Sequence, residues 1–282
     1  MLKRKFGWTD VKVPVIGQGT WMIDGDREWL SMEAIRSGLD LGMSHIDTAE
    51  MYGNGRVEEL VSESIGGRRD EVFLSSKVLP TNASYDGTIK SCKQSLKRLQ
   101  TDWLDLYMIH WPSSSYPIVE TMRAMEKLVA DGLIRFIGVS NFDLRELMNA
   151  EKVLRKERIL CNQLLYNLDS RGIERRLLSY CTKQEIAIVG YSSFGHGNFP
   201  TPETSRGRIL VEIGERHGKT PYQVALNFLT CDANVFTIPK TRSPERVKEN
   251  SGGVGWDLTK DDIILINRFF PVPDYDTPLE VI

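Results

Sequence analysis

The chain has 282 residues, of which 41% are hydrophobic and 26% charged, the make-up of an ordinary globular protein. Its formal net charge of -2 gives no attraction to polyanions, which sets aside nucleic acid and anionic membrane surfaces as partners. The four cysteines, Cys92, Cys161, Cys181 and Cys231, stand far apart without a C-x-x-C pair, so reduced thiols in a cytoplasmic protein are expected rather than a zinc ribbon or a redox motif.

The N-terminal residues Met1 to Phe6 are basic but lead into no apolar stretch long enough for a signal peptide. No window approaches the roughly 20 apolar residues of a membrane span. Asn82-Ala83-Ser84 matches a glycosylation acceptor, a three-residue pattern that carries weight only in a secreted chain. Residues 2 to 15 form two short segments around Gly7 and predict a hairpin that closes the bottom of the domain.

From residue 15 a short apolar run and then a polar-punctuated helix repeat along the chain. Val15 to Gly19 is the first strand and a helix spans about Asp26 to Leu41. The second strand contains Ile46, and its helix places Val57, Leu60, Val61 and Ile65 on one face. The third strand opens at Val72-Phe73-Leu74 and ends at Lys77; its helix carries Ile89, Cys92, Leu96 and Leu99 at spacings of three and four. Leu104 to Ile109 is the fourth strand, and a helix starts at Pro117 with Gly132 just past its end. Ile134 to Val139 is the fifth, and a helix from about Asp143 to Arg155 leads to the sixth near Ile159 to Gln163. A helix from about Gly172 to Gln184 precedes the seventh, Ile186 to Tyr191. Two helical stretches, roughly Thr204 to His217 and Thr220 to Leu229, precede the eighth strand, Val235 to Ile238. Ser243-Pro244-Glu245 then caps a helix, and Thr259 to Phe269 is an extra one.

Eight strand-helix units predict an α/β fold in which residues 1–282 form one closed (β/α)8 TIM barrel, with the hairpin at its bottom. The competing open dinucleotide-binding sheet would show G-x-G-x-x-G after its first strand. Gly17-Gln18-Gly19-Thr20-Trp21-Met22 fails that pattern at its sixth position.

Barrel enzymes carry their chemistry at the carboxyl ends of the strands. Here the second strand ends at Asp47, with Tyr52 in its loop; the third ends at Lys77, the fourth at His110-Trp111, the fifth at Ser140-Asn141. The sixth ends at Asn162-Gln163, the seventh at Tyr191-Ser192 and the eighth at Lys240-Thr241. Singly, each has an ordinary structural explanation. Together, Asp47 and Lys77 on adjacent strands predict an ion pair, and a tyrosine beside that lysine is expected to have its pKa lowered from about 10. His110 would donate a hydrogen bond to an oxygen held beside the tyrosine hydroxyl. Such a site gives a proton to a carbonyl oxygen while something else attacks the carbon.

The segments HIDTAEMYGN (45–54), SSKV (75–78), IHWP (109–112), IGVSNF (137–142) and IPKTRSPERVKEN (238–250) resemble the signature segments of the aldo-keto reductases in order and spacing, from Gly17 to about Asn250. The resemblance implies a (β/α)8 barrel that binds a nicotinamide dinucleotide and reduces aldehydes or ketones by hydride transfer. It puts Asp47, Tyr52, Lys77 and His110 on the catalytic positions, with Tyr52 as proton donor. Ser140, Asn141 and Gln163 fall where the nicotinamide carboxamide is held, Tyr191 where the ring stacks, Thr20 and Ser192 near the ribose and diphosphate. Lys240, Thr241 and Arg246 match the site for the adenosine 2'-phosphate, and Glu249 and Asn250 lie at the adenine. A helix start at Ser243-Pro244 adds its free N–H groups to the attraction for phosphate, so NADPH is favoured, with NADH possible. Trp21 and Trp111 fall on substrate-pocket positions. The loop after the seventh strand departs from the family pattern at Ser193-Phe194, and the tail beyond Pro271 is short, so an open, permissive pocket is expected. The partner is a small aldehyde or ketone, and the chain a monomer or weak homo-oligomer.

Two other readings compete. His45, Asp47 and His110 could be metal ligands of a barrel hydrolase, but Lys77 beside the carboxylate would repel a cation, so no metal is expected. Some aldo-keto reductase relatives are regulatory channel subunits, and a cofactor-binding protein with little turnover is the alternative to an enzyme.

Overall fold

The computed structural model describes residues 1–282. It begins with an antiparallel hairpin of β1 (Lys3–Lys5) and β2 (Lys12–Pro14). Eight parallel strands make up the main sheet: β3 (Gln18–Gly19), β4 (His45–Asp47), β5 (Phe73–Val78), β6 (Leu104–Ile109), β7 (Ile134–Ser140), β8 (Ile159–Leu165), β9 (Ala187–Tyr191) and β10 (Val235–Thr237), in sequence order. The helices are α1 (Glu28–Asp40), α2 (Arg56–Ile65), α3 (Tyr85–Leu99), α4 (Ile118–Ala130), α5 (Leu144–Val153), α6 (Leu177–Lys183), α7 (Ser205–His217), α8 (Pro221–Leu229), α9 (Pro244–Ser251) and α10 (Lys260–Phe269).

The sheet closes on itself where the first barrel strand meets the last. The Gly17 amide donates to the Thr237 carbonyl at 2.8 Å, and the Thr237 amide to the Val15 carbonyl at 2.9 Å, extending the pairing beyond β3 into bridges Ile16–Thr237 and Gly19–Lys240. The two glycines admit the strands on either side, Gly17 toward β4 and Gly19 toward the last strand. A Cβ on Gly17 would lie 2.6 Å from the His45 carbonyl oxygen, and one on Gly19 would lie 2.6 Å from that of Ile238. The G-x-G of the sequence therefore serves close backbone approach between strands.

Two apolar layers arise from the alternation of strand residues. Inside the barrel, Phe73, Leu106, Met108, Leu160, Val189 and Phe236 pack with Phe6 and Val13 from the hairpin region. Phe6 meets Phe236 at 4.8 Å and Phe73 at 5.2 Å between ring centroids, so the hairpin plugs the bottom as expected. Outside, the larger layer joins strand residues such as Ile46, Leu74 and Tyr107 to helix residues including Leu60, Cys92, Leu96 and Met125. Local caps set the helix starts: Asp143 with Glu146, and Thr220 with Gln223, form capping boxes, and Ser243 caps α9 with Pro244 behind it.

One element differs from expectation. The helix anticipated over 172 to 184 is a 3-10 turn, Gly172–Arg175, and then α6, with the break at Arg176. The arginines there serve tertiary contacts: Arg171 donates to the Phe270 carbonyl and pairs with Glu174, and Arg176 pairs with Asp276 at 3.1 Å. The break accompanies these contacts, which tie the segment to Phe270 and Asp276. No helix is long and apolar enough to cross a membrane.

Candidate active site

β4 and β5 carry the charged centre. Parallel pairing sets Asp47 opposite Ser75, and Lys77, two residues on, points the same way. Lys77 Nζ donates to Asp47 Oδ1 at 2.5 Å, to the Thr48 carbonyl at 2.9 Å and to Tyr52 Oη at 3.3 Å. The pair is fully enclosed, with side-chain exposures of 0% and 2%, which is tolerable only because further donors satisfy the carboxylate. Asp47 Oδ2 accepts from Ser75 Oγ at 2.8 Å and from Gln163 Nε2 at 2.9 Å.

Tyr52 is presented by a left-handed turn. Gly53, Asn54 and Gly55 have φ of 54°, 52° and 93°, conformations glycine takes freely and asparagine tolerates. The sequence Y-G-N-G thus turns the chain from β4 into α2 while leaving the phenol over Lys77.

Electrostatics correct one expectation. Burial raises the Tyr52 pKa, and the lowering by Lys77 does not overcome it; the phenol stays protonated, the form a proton donor requires. For Lys77, burial opposes the ammonium, but Asp47 and Tyr52 outweigh it and the pKa is raised. Burial, with Lys77 nearby, pushes His110 down to about 2, so its imidazole is neutral. The His110 ring lies edge-on to Tyr52 at 5.7 Å between centroids and stacks on Trp111 at 3.9 Å.

These groups open into a cavity of about 590 Å³ at the carboxyl ends of the strands, within the size range of small-molecule sites. Its wall includes Thr20, Trp21, Asp47, Tyr52, His110, Trp111, Ser140, Asn141, Gln163, Tyr191, Ser192, Lys240 and Arg246. Lys77 lies beneath that surface. Thr241, Glu249 and Asn250 fall outside the lining, Asn250 being buried on α9. The Thr20 hydroxyl donates to the Asp47 carbonyl at 2.8 Å. Asn141 joins two sides of the cavity, donating to the His110 carbonyl at 3.0 Å and accepting from the Tyr191 hydroxyl at 2.8 Å. Asn141 and Ser192 both hold positive φ, 61° and 53°, strain of the kind that gathers at binding sites.

Residues 15–269 match the description "Aldo/keto reductase family". The chain belongs to the aldo/keto reductase family. The chain is similar to the methylglyoxal reductase YeaE of Escherichia coli, 37% identical over 97% of this chain and 96% of that protein. It is 33% identical to the glyoxal reductase of Bacillus subtilis over 94% of each. A crystal structure of an aldo-keto reductase from Klebsiella pneumoniae in complex with NADPH superposes with a TM-score of 0.92 at 37% identity, covering 100% of both chains.

Within this family member, the cavity has walls that strand-end reasoning missed. Phe194, His196 and Phe199 reach it from the loop after β9, Tyr222 from α8, and Ile282 from the tail. His196 stacks on Trp21 at 5.1 Å, and Phe199 on Tyr222 at 4.4 Å. The open pocket expected from a short tail is therefore bordered on that side by Ile282. Ser75 was also missed, although the alternation of β5 puts it on the face of Lys77. His45, considered as a ligand, instead lies among Phe6 and Phe73 with both ring nitrogens unpartnered. A second cavity of about 490 Å³, between α5, α6 and the tail, contains none of the predicted site residues.

Proposed function

We propose that this chain is an enzyme reducing small aldehydes or ketones to alcohols with NADPH, with Tyr52 as the proton donor. The observation that carries this reading is the hydrogen-bonded series Asp47, Lys77, Tyr52 at the floor of a cavity whose far rim is cationic.

The donor set fits a nicotinamide dinucleotide phosphate. Ser140, Asn141 and Gln163 cluster amide and hydroxyl groups suited to a carboxamide. On the opposite rim, partial desolvation and the charges of Arg242 and Arg246 lower the Lys240 pKa, a concentration of positive charge that a phosphate would relieve. Ser243 caps α9 beside it, and a helix start favours an anion. NADH would use the same amide and ring positions without that phosphate.

When bound, the cofactor supplies a hydride to the carbonyl carbon. Tyr52 gives its hydroxyl proton to the carbonyl oxygen, and Lys77 steadies the phenolate left behind. Asp47 keeps Lys77 charged and in place. The neutral His110 imidazole orients the carbonyl oxygen by donating a hydrogen bond. Trp21 and Trp111 form apolar wall against the substrate. The names of the two relatives make α-oxoaldehydes the first substrates to try.

Consumption of NADPH with a panel of small aldehydes tests the reaction. Tyr52→Phe is expected to lower kcat by about 10²- to 10⁴-fold, the usual worth of a general acid, while NADPH affinity stays within about twofold of the parent by the same reasoning. A variant that retains its turnover removes Tyr52 from the role. Tight NADPH binding by the parent protein without turnover would instead favour a sensor or regulatory subunit.

A further inference from the structure

The two oxygens of Asp47 have different partners. Oδ1 meets Lys77, whereas Oδ2 is held by Ser75 Oγ at 2.8 Å and Gln163 Nε2 at 2.9 Å. The two holders differ in character. Gln163 lines the cavity, where under the proposed function its amide would also serve the cofactor's carboxamide; Ser75 is fully buried and outside the lining. Ser75 therefore remains on the carboxylate whichever way the Gln163 amide turns. Its other acceptor, the Ile46 carbonyl, is more distant at 3.3 Å.

We propose that Ser75 is a positioning residue of the proton-donating site, fixing the rotation of the Asp47 carboxylate so that one oxygen faces Lys77 and Lys77 stays shared with Tyr52. The inference rests on the reading of Tyr52 as proton donor. Donation to Oδ2 draws negative charge away from Oδ1, which moderates the hold of Asp47 on the ammonium. Without that donation the ammonium is drawn more strongly to Asp47, and the phenol becomes a poorer acid. The ionisable groups facing this centre are Lys77 and Tyr52, His45 two residues before Asp47, Cys161 from β8, and His110 and Tyr191 across the cavity. Of these, Lys77 bonds directly to the carboxylate.

Neighbouring Ser76 provides the control. It is equally buried, but strand alternation turns it to the helix layer, where Oγ donates to Glu58 at 2.6 Å. The experiment measures kcat against pH, KM for NADPH and Tm for both serine variants. Ser75→Ala is expected to lower kcat at neutral pH by about three- to tenfold, the worth of one hydrogen bond. It should also move the alkaline limb of the profile to higher pH and leave KM for NADPH unchanged. Ser75→Thr, which keeps the hydroxyl, should recover most of the loss. Ser76→Ala should lower Tm while leaving the profile in place. A Ser75→Ala profile coincident with the parent overturns the proposal, as does an equal change in both alanine variants. If Ser75→Ala does not fold, Ser75→Cys, with a weaker donor of similar size, makes the same comparison with a smaller displacement expected. An active Tyr52→Phe enzyme would remove the underlying reading; an inactive one beside an unaltered Ser75→Ala profile would remove the role of Ser75 alone.

Discussion

Arg246 sits exposed on the first turn of α9, near Lys240 and Arg242 on the cationic rim. Under the proposed reaction its guanidinium meets the 2'-phosphate that distinguishes NADPH from NADH, and a charge-assisted contact of this kind is worth about 1.5 to 3 kcal/mol. Arg246→Ala should therefore reduce the ratio of kcat/KM for NADPH over NADH by about ten- to a hundredfold. An unaltered ratio would leave Arg246 as no more than the solvated start of a helix. At this scale the rim residues were legible because strand ends can be counted. The direction of the Tyr52 pKa was not, since it depends on how deeply the phenol is buried, and spacing says nothing about depth. Ser75 carried a usable signal in its two-residue offset from Lys77.

Among the elements, the N-terminal hairpin closes the barrel interior from below, adding Phe6 and Val13 to its apolar cluster. Phe6 is fully buried between Phe73 and Phe236, and truncating such a ring costs about 3 to 5 kcal/mol. Phe6→Ala should lose stability of that order in denaturant titration while KM for the aldehyde stays near the parent value, because the ring lies at the opposite end from the cavity. A loss below about 1 kcal/mol would mean that the bottom of the barrel collapses around the gap. The strand-helix alternation was readable because each element carries its own periodicity and caps, as Asp143 and Thr220 show. Two features lacked such a local signal. The break at Arg176 accompanies pairing with Asp276, far along the chain, and the aromatic wall joins Phe194 and Phe199 to Tyr222 on a separate helix.

For the whole molecule, two buried histidines tie stability to acidity. Burial holds His45 down to about 4 and His110 to about 2, against about 6.5 in an unfolded chain. Above 6.5 both are neutral in either state and their contribution is fully present. As pH falls below 6.5 the unfolded chain takes up protons that the folded one refuses, and stability drops. Each histidine contributes a slope of up to about 1.4 kcal/mol per pH unit, with His45 levelling off below about 4. Tm should accordingly decline from pH 6.5 toward 4, and His45→Leu should flatten that decline; an unchanged slope would show that His45 is already protonated in the native protein or takes no part.

The seam at Gly17 and Gly19 has a kinetic consequence. Its hydrogen bonds join Gly17 to Thr237, residues from opposite ends of the sequence. Contacts of such high order form slowly, because the loop they close must first surrender its freedom. During synthesis the seam cannot form until Thr237 has left the ribosome. Asp47, Tyr52 and Lys77 are made early, but the enclosed mouth between them and Lys240 can be completed only when nearly the whole chain is present.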